Sequence, residues 1–447
     1  MLVLRPSELL PGADGVQFYL PAIALAAIFS LPQVLVLLRV DRVVKMPVLF
    51  CGLGLVAAGF LAHMTNGELN LAVTDTLMIA KAVLYLVIML AVLTTPERLR
   101  TFLLVHVAAS SAMITASVVD FKRFEATWAG EDVLETYKDD RFRPLKEKKL
   151  RHVVEFLNIE DDNSREAFFR MRGYGIFADP NDVSLLILST GIFTLFFLND
   201  RRLGSSRYLF LLNMALLLYA QWCTQSRGGL VSAAIAAVVY LLMRYGRQVG
   251  ATVALLIAAA LPVVAGRLAS FSLAGGTGQE RIQLWSDGLV QLQTGKIFFG
   301  IGPGVYEDVS GLGLKAHNSW IHAFVELGLF GGLFFFGCAF FPALGFTRLR
   351  RAGIVPADPL LRRLYAVIPA TLAGTCFALC ALSRCYTPAT YMVFGLAQVY
   401  LNMAAGSLSP RRPVVRISQW TSLLCAFWGI VLLLGAFIFV KVFARFG

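Results

Sequence analysis

Residues 315–346 read KAHNSWIHAFVELGLFGGLFFFGCAFFPALGF. From Ser319 onward the run is apolar except for His322 and Glu326. It is long enough to cross a hydrocarbon core, which takes about 20 residues of helix. Its entrance carries His317, and histidine titrates near neutral pH, so it can take a proton from a hydroxyl. Ionisable side chains at this depth cost several kcal/mol, which marks His317, His322 and Glu326 as functional candidates.

The same reading extends over the chain. The composition is 57% hydrophobic and 15% charged, whereas a soluble domain is nearer 45–50% apolar and about 25% charged. Apolar runs bounded by Arg, Lys, Pro or Gly predict an all-α, polytopic transmembrane helical bundle of about twelve spans. They fall near 16–38, 46–64, 73–94, 99–119, 181–198, 207–223, 228–243, 249–266, 319–346, 364–383, 388–404 and 418–440. The alternating pattern of a membrane β-barrel is absent from the sequence. The first run is too long for a signal-peptide core and is expected to stay attached. One membrane domain over 1–447, with charged insertions at 120–172 and 267–316, accounts for the length.

The net charge of +12 is not a nucleic-acid footprint, because the basic residues gather in alternate short loops. Six such loops, around Arg42, Arg98, Arg202, Arg244, Arg350 and Arg412, fall on one side of the predicted bundle. By the positive-inside rule that side is the cytoplasm, with both termini and both insertions outside. The seven cysteines lie in or beside apolar spans without paired C-x-x-C spacing. They read as buried thiols rather than metal ligands.

In the first insertion, Leu150, Val153, Val154 and Leu157 recur at helical spacing beside Lys146, Lys148, Lys149 and Arg151. This predicts a helix over 146–157, lying on the membrane surface or capping the bundle. Asp139-Asp140 and Asp161-Asp162 read as a solvated face. The second insertion holds a Gly275-Gly276-Thr277-Gly278 turn, then Arg281 and Trp285, then Gly300-Ile301-Gly302-Pro303-Gly304 and Tyr306. Such glycine-rich loops serve either as turns or as backbone N–H cradles for phosphate.

Several arginines break the positive-inside pattern by sitting at outer ends of spans. Arg172 precedes Gly173, Arg227 stands in Ser226-Arg227-Gly228-Gly229, and Arg384 follows Ser383. An arginine keeps its charge in any environment and offers a planar fork that matches phosphate. A set of them near a histidine suits a lipid-linked pyrophosphate; the plainer role for each is headgroup contact or pairing with a carboxylate.

Taken in order, these motifs resemble the O-antigen ligase and O-antigen polymerase superfamily of bacterial envelopes. The matching elements are Gly175 to Asp182, Ser226 to Gly229, Arg281 before Trp285, Gly300 to Gly304, His317-Asn318-Ser319 and Glu326-Leu327-Gly328. They cover about residues 170–345. The resemblance implies a metal-independent glycosyltransferase of the inner membrane, working at the periplasmic face without a cofactor. Its donor would be an undecaprenyl-pyrophosphate-linked glycan and its acceptor a glycan or lipid-linked sugar. Carried onto this chain, Arg227 and Arg281 hold the pyrophosphate and His317 is the base. Asn318 and Glu326 orient that histidine, and His322 is secondary. Arg172, Asn181, Asp182, Trp285, Tyr306 and Arg384 complete the expected binding set. Ligase and polymerase share the motifs and differ in acceptor.

The alternative from another class is a transporter or flippase, with Asp75, Lys81 and His106 as its intramembrane charges. Such a protein is expected to show internal repeats and paired broken helices, and no repeat is visible in the sequence.

Overall fold

The computed structural model describes residues 18–127, 152–158, 165–264, 277–408 and 412–444. Each of the twelve expected spans corresponds to a helix. In chain order these are α1 (Tyr19–Leu37), α2 (Pro47–Thr65), α3 (Leu69–Val92), α4 (Pro96–Thr127), α5 (Pro180–Leu198), α6 (Leu209–Thr224), α7 (Arg227–Tyr245) and α8 (Arg247–Val264). After α9 (Thr277–Gln291), which is not a span, come α10 (Ser319–Arg351), α11 (Pro359–Ala378), α12 (Pro388–Ala404) and α13 (Gln419–Phe443). Eight of them, α2 to α7, α10 and α13, are long and apolar enough to cross a membrane, α6 together with the 3-10 turns Arg201–Tyr208 that lead into it. The others have shorter apolar stretches or, in α11, open on Arg362 and Arg363. The chain is a multi-pass helical membrane protein.

Helix starts follow local chemistry. Pro47, Pro180, Pro359 and Pro388 occupy first turns, where a missing N–H leaves nothing unsatisfied. Asp179, Asn318 and Asp358 cap the helices that follow them, and Ser418 forms a capping box with Thr421.

One expectation is corrected in the first insertion. Helix α4 continues to Thr127, so the insertion opens as helix. The helix expected over 146–157 is instead strand β1 (Val153–Asn158) where the structure describes it. It pairs antiparallel with β2 (Arg165–Arg170), with Val153 opposite Arg170 and Asn158 opposite Arg165. Val-Val-Glu-Phe-Leu is rich in β-branched and aromatic residues, and a partner strand a few residues on outweighs a four-residue helical coincidence. Residues 146–151 and both aspartate pairs lie outside the described residues, as do Gly275 and Gly276; Thr277 and Gly278 open α9.

The packing divides the chain into two compact units. The first comprises residues 1–22 and 101–233. Here α5 is the most enclosed helix, with Val183, Leu186, Phe193 and Phe197 buried. Helix α6 is joined to it through Asn213 Nδ2 on Thr194 Oγ1 (2.8 Å) and Ser184 Oγ on Gln221 Oε1 (2.6 Å). His106 of α4 lies 3.5 Å from the hydroxyls of Ser110 and Ser189. His152, buried between Phe121 and Phe124, accepts the Arg172 N–H on Nδ1 and turns Nε2 toward Asp120 (3.4 Å).

The second unit comprises residues 23–100 and 234–447. Helices α2 and α10 approach through small residues: a Cβ at Gly331 would lie 2.9 Å from Ala58, and one at Gly337 would lie 2.7 Å from Cys51. Close backbone approach of this kind maximises dispersion where lipid gives no hydrophobic drive. Helix α12 meets α3 at Gly395, against Leu86 and Met89. The Val48 N–H, left over at the start of α2, donates to Gln398 Oε1 of α12 (3.2 Å). Helix α13 packs on α10 at Gly429, against Leu333.

Candidate active site

The entrance of α10 is held from two sides. Asn318 Oδ1 caps the helix by accepting the N–H groups of Trp320 (3.0 Å) and Ile321 (3.3 Å). His317, just outside the cap, is half-buried with φ +48°, a left-handed conformation costly for a side chain bearing a Cβ. The loop after α11 holds it there: the His317 N–H donates to Ser383 Oγ (2.8 Å), the Ser319 N–H to the Leu379 carbonyl (2.7 Å) and the Arg384 N–H to Ser319 Oγ (2.8 Å). Ser319 Oγ itself donates to the Leu382 carbonyl. On the other side, Trp285 Nε1 of α9 donates to the Ala316 carbonyl (2.7 Å), and Arg281 stands one turn earlier on that helix. Arg384, Arg281 and Trp285 thus belong to the two segments that grip His317.

Further along, α10 is broken. Gly328 has φ +63° and ψ −166°, so the helix stops and restarts. The backbone groups released at the break are taken up by the segment before Pro303. Ile301 and Gly302 donate to the carbonyls of Val325 (3.1 Å) and Glu326 (2.9 Å), while Leu329 and Phe330 donate to those of Ile297 (2.8 Å) and Phe298 (3.0 Å). In a membrane protein every such group must find a protein partner. Gly300 and Gly328 are required for steric reasons: a Cβ at either would lie 2.4 Å from the opposing backbone.

This settles what the glycine-rich loop does. The N–H groups of Ile301 and Gly302 point inward to α10, and that of Gly300 turns back to the Lys296 carbonyl, rather than forming a phosphate cradle. Gly304 and Tyr306 also donate inward, both to Glu326 Oε1 (3.0 and 3.2 Å). The same oxygen lies 3.0 Å from Nε2 of His322. Both side chains are buried, and an i, i+4 spacing on one helix face brings them together. Glu326 thus meets His322, one turn before it on the same helix, and the Asn318 side-chain oxygen caps that helix.

Two tyrosines enclose this pair. Tyr306 lies 5.1 Å from the His322 ring, and Tyr386 lies edge-on to it at 5.9 Å. Burial pushes both phenols above their ordinary pKa, with Glu326 a further cause in each. They stay protonated at physiological pH, and Tyr306 donates to the Leu284 carbonyl (2.7 Å).

A residue that sequence reasoning missed secures the loop from behind. His63, at the end of α2, is fully buried, with Nδ1 on Glu68 (3.1 Å) and Nε2 on both the Pro303 carbonyl (3.1 Å) and Asp75 (3.2 Å). Asn66 Nδ2 adds a hydrogen bond to the Gly300 carbonyl (3.0 Å), and a Cβ at Gly302 would lie 2.7 Å from the imidazole. Asp75, a candidate transport charge by sequence, thus belongs to this clamp, whereas Lys81 of α3 is exposed. The available signal was a histidine at a span end, five residues before a glutamate. His63→Ala is expected to leave membrane insertion intact and to speed hydrogen exchange at Ile301 and Gly302 by at least about tenfold; unchanged exchange would show that the clamp is redundant.

The remaining expected residues lie in the first unit. Arg227 is the exposed first residue of α7. Ser226 beside it accepts the Gly229 N–H (3.1 Å) and donates to Asn181 Oδ1 (2.7 Å), so the starts of α5 and α7 meet. Asp182 is buried one residue on. Arg172 is brought alongside by its neighbours: Met171 N–H and Arg170 Nε donate to the carbonyls of Cys223 (2.9 Å) and Thr224 (3.2 Å), in the turn before Arg227. Gly229 permits the approach, since a Cβ there would fall 1.6 Å from Ser184 Oγ. Gly229→Ala should therefore lower the thermal midpoint in detergent by several degrees, and adding Ser184→Gly should recover most of it; a single variant as stable as the parent would show that α5 and α7 can part freely.

Residues 212–336 match the family model described as O-antigen ligase, a stretch that takes in Arg227, Arg281, His317, His322 and Glu326. Arg172, Asn181, Asp182 and Arg384 lie beyond it. No curated protein matches the chain. In this multi-pass membrane protein, the segment 212–336 is what is similar to the O-antigen ligase family.

Proposed function

We propose that the protein transfers a glycan from an undecaprenyl-pyrophosphate-linked donor to a sugar hydroxyl, at the periplasmic face of the inner membrane, with His317 as the base. The observation that carries this reading is the double grip on His317 by the segments bearing Arg384 and Arg281. A histidine in a conformation it would not adopt alone, gripped by two segments that each carry a permanent cation, suits an acid–base group serving an anionic donor.

The chemistry follows from the groups present. A pyrophosphate leaves readily once its charge is neutralised, which arginine forks do in a site with little water. The acceptor oxygen forms its bond to the anomeric carbon as the carbon–oxygen bond to pyrophosphate breaks. The bonding pair departs with the pyrophosphate, and the hydroxyl proton passes to His317. Direct displacement inverts the anomeric centre. Arg227 shares the neutralising role by its motif, with Arg172, Asn181 and Asp182 grouped around it on the first unit. Tyr306, Asn318, His322 and Glu326 shape the wall behind His317 rather than meeting the donor. General-base assistance contributes about 10²–10⁴-fold, and positioning of two membrane-held substrates supplies much of the rest.

The lipid-linked glycan profile of cells lacking the protein tests the reading and separates its two forms. Accumulated single repeats identify a polymerase, accumulated long chains a ligase, and an unchanged profile overturns the proposal. The orientation is checked by single cysteines in a background without the native ones. Positions next to Gly302 and Glu131 should react with an impermeant thiol reagent in cells with a permeabilised outer membrane, and positions next to Arg202, Arg350 and Arg412 should not. Labelling at Arg350 would reverse the assigned face.

A further inference from the structure

At the end of α10 remote from His317, two of the basic loops enclose a concavity of about 500 Å³. Arg348 enters it from the last turns of α10, and Arg412 and Arg416 from the segment that leads into α13. Its remaining wall includes Leu349, Ile354 and Val414. Arg348 spends one N–H on the Val414 carbonyl (3.3 Å), which fixes the guanidinium within the wall. Among the described residues none of the three arginines meets a carboxylate. Three cations with no counter-ion around one hollow repel each other, and an anion between them removes that cost.

The rest of the surroundings selects the kind of anion. Helix α13 begins three residues after Arg416 and exposes Trp420, Leu423, Phe427, Val431, Leu434 and Ile438, spaced three or four apart along one face. Such an apolar stripe belongs against acyl chains, and a tryptophan at its start belongs at headgroup level. A free phosphate would use the arginines and leave the apolar wall idle. A phospholipid uses both. We propose that this hollow is a binding site for the phosphodiester headgroup of an anionic phospholipid in the leaflet on the basic-loop side, held by Arg348, Arg412 and Arg416. The site is independent of the glycan-transfer reading.

The test is native mass spectrometry of the full-length protein released from detergent, with phosphatidylglycerol, phosphatidylcholine of the same chains, or inorganic phosphate added. Phosphatidylglycerol should be retained at least about tenfold better than phosphatidylcholine, and millimolar inorganic phosphate should not displace it. Arg412→Ala and Arg416→Ala involve exposed side chains that hold no part of the fold. Each should cost about fivefold in retention, the attraction one basic side chain has for an anionic membrane surface. Arg201→Ala with Arg202→Ala, in a different basic loop, should cost nothing and so reports on unspecific charge. Equal retention of the two lipids, or an equal loss in the Arg201/Arg202 variant, overturns the site. Displacement by inorganic phosphate would make it a phosphate site and overturn the lipid assignment.

Discussion

His317→Ala is expected to reduce glycan transfer by about 10²–10⁴-fold while leaving donor binding nearly intact, because the base acts only once the hydroxyl begins to lose its proton. Arginine variants should behave differently. Arg281→Ala or Arg227→Ala should remove binding and turnover together, and Arg227→Lys should restore little, since lysine keeps the charge but loses the planar fork. His322→Ala should cost less than His317→Ala, because Glu326 keeps the Gly304 and Tyr306 N–H groups when the imidazole is gone. The assay is transfer from a purified lipid-pyrophosphate donor in detergent with EDTA, alongside donor binding measured separately. Full activity in His317→Ala removes the base assignment. Activity that disappears on chelation and returns with Mg²⁺ would replace the arginines by a metal as the neutralising charge.

Gly300→Ala and Gly328→Ala are expected to be the most damaging single-methyl changes in the second unit. Each places a non-glycine residue at positive φ, costing on the order of 1–3 kcal/mol, and drives its Cβ to 2.4 Å from the facing backbone. Relief requires the 297–302 segment to back away from the break, which forfeits up to four backbone hydrogen bonds with no water to replace them. Gly353→Ala supplies the control: its φ is +62° but nothing lies within 4 Å of the added carbon, so it pays for conformation alone. Thermal unfolding in detergent should place both site variants well below Gly353→Ala, with transfer lost in parallel. Midpoints equal to the Gly353→Ala value would mean that the break is not held by this segment.

The apolar runs determined the helices, and the reason is the solvent. In hydrocarbon a chain must satisfy its own backbone, so twenty apolar residues leave few alternatives to a helix, and the spans from Pro47 to Phe443 could be read one by one. The ordered motifs likewise carried His317, Arg227 and Arg281 as candidates. Local patterns failed where partners come from elsewhere in the chain. Val153, Val154 and Leu157 fit a helical period, yet pairing with Arg165–Arg170 made the segment a strand. The i, i+4 spacing of His322 and Glu326 was visible, but which histidine the carboxylate serves depended on how α10 starts and where Gly304 and Tyr306 deliver their N–H groups. His63 and Pro303 stand 240 residues apart and meet only because α2 packs on α10. The sequence by itself determined what each segment must be in a membrane, since that rests on the residues' own transfer energies. Only the tertiary structure decided which buried polar group answers which, since a hydrogen bond inside a bundle is chosen by geometry between helices and not by spacing along one of them.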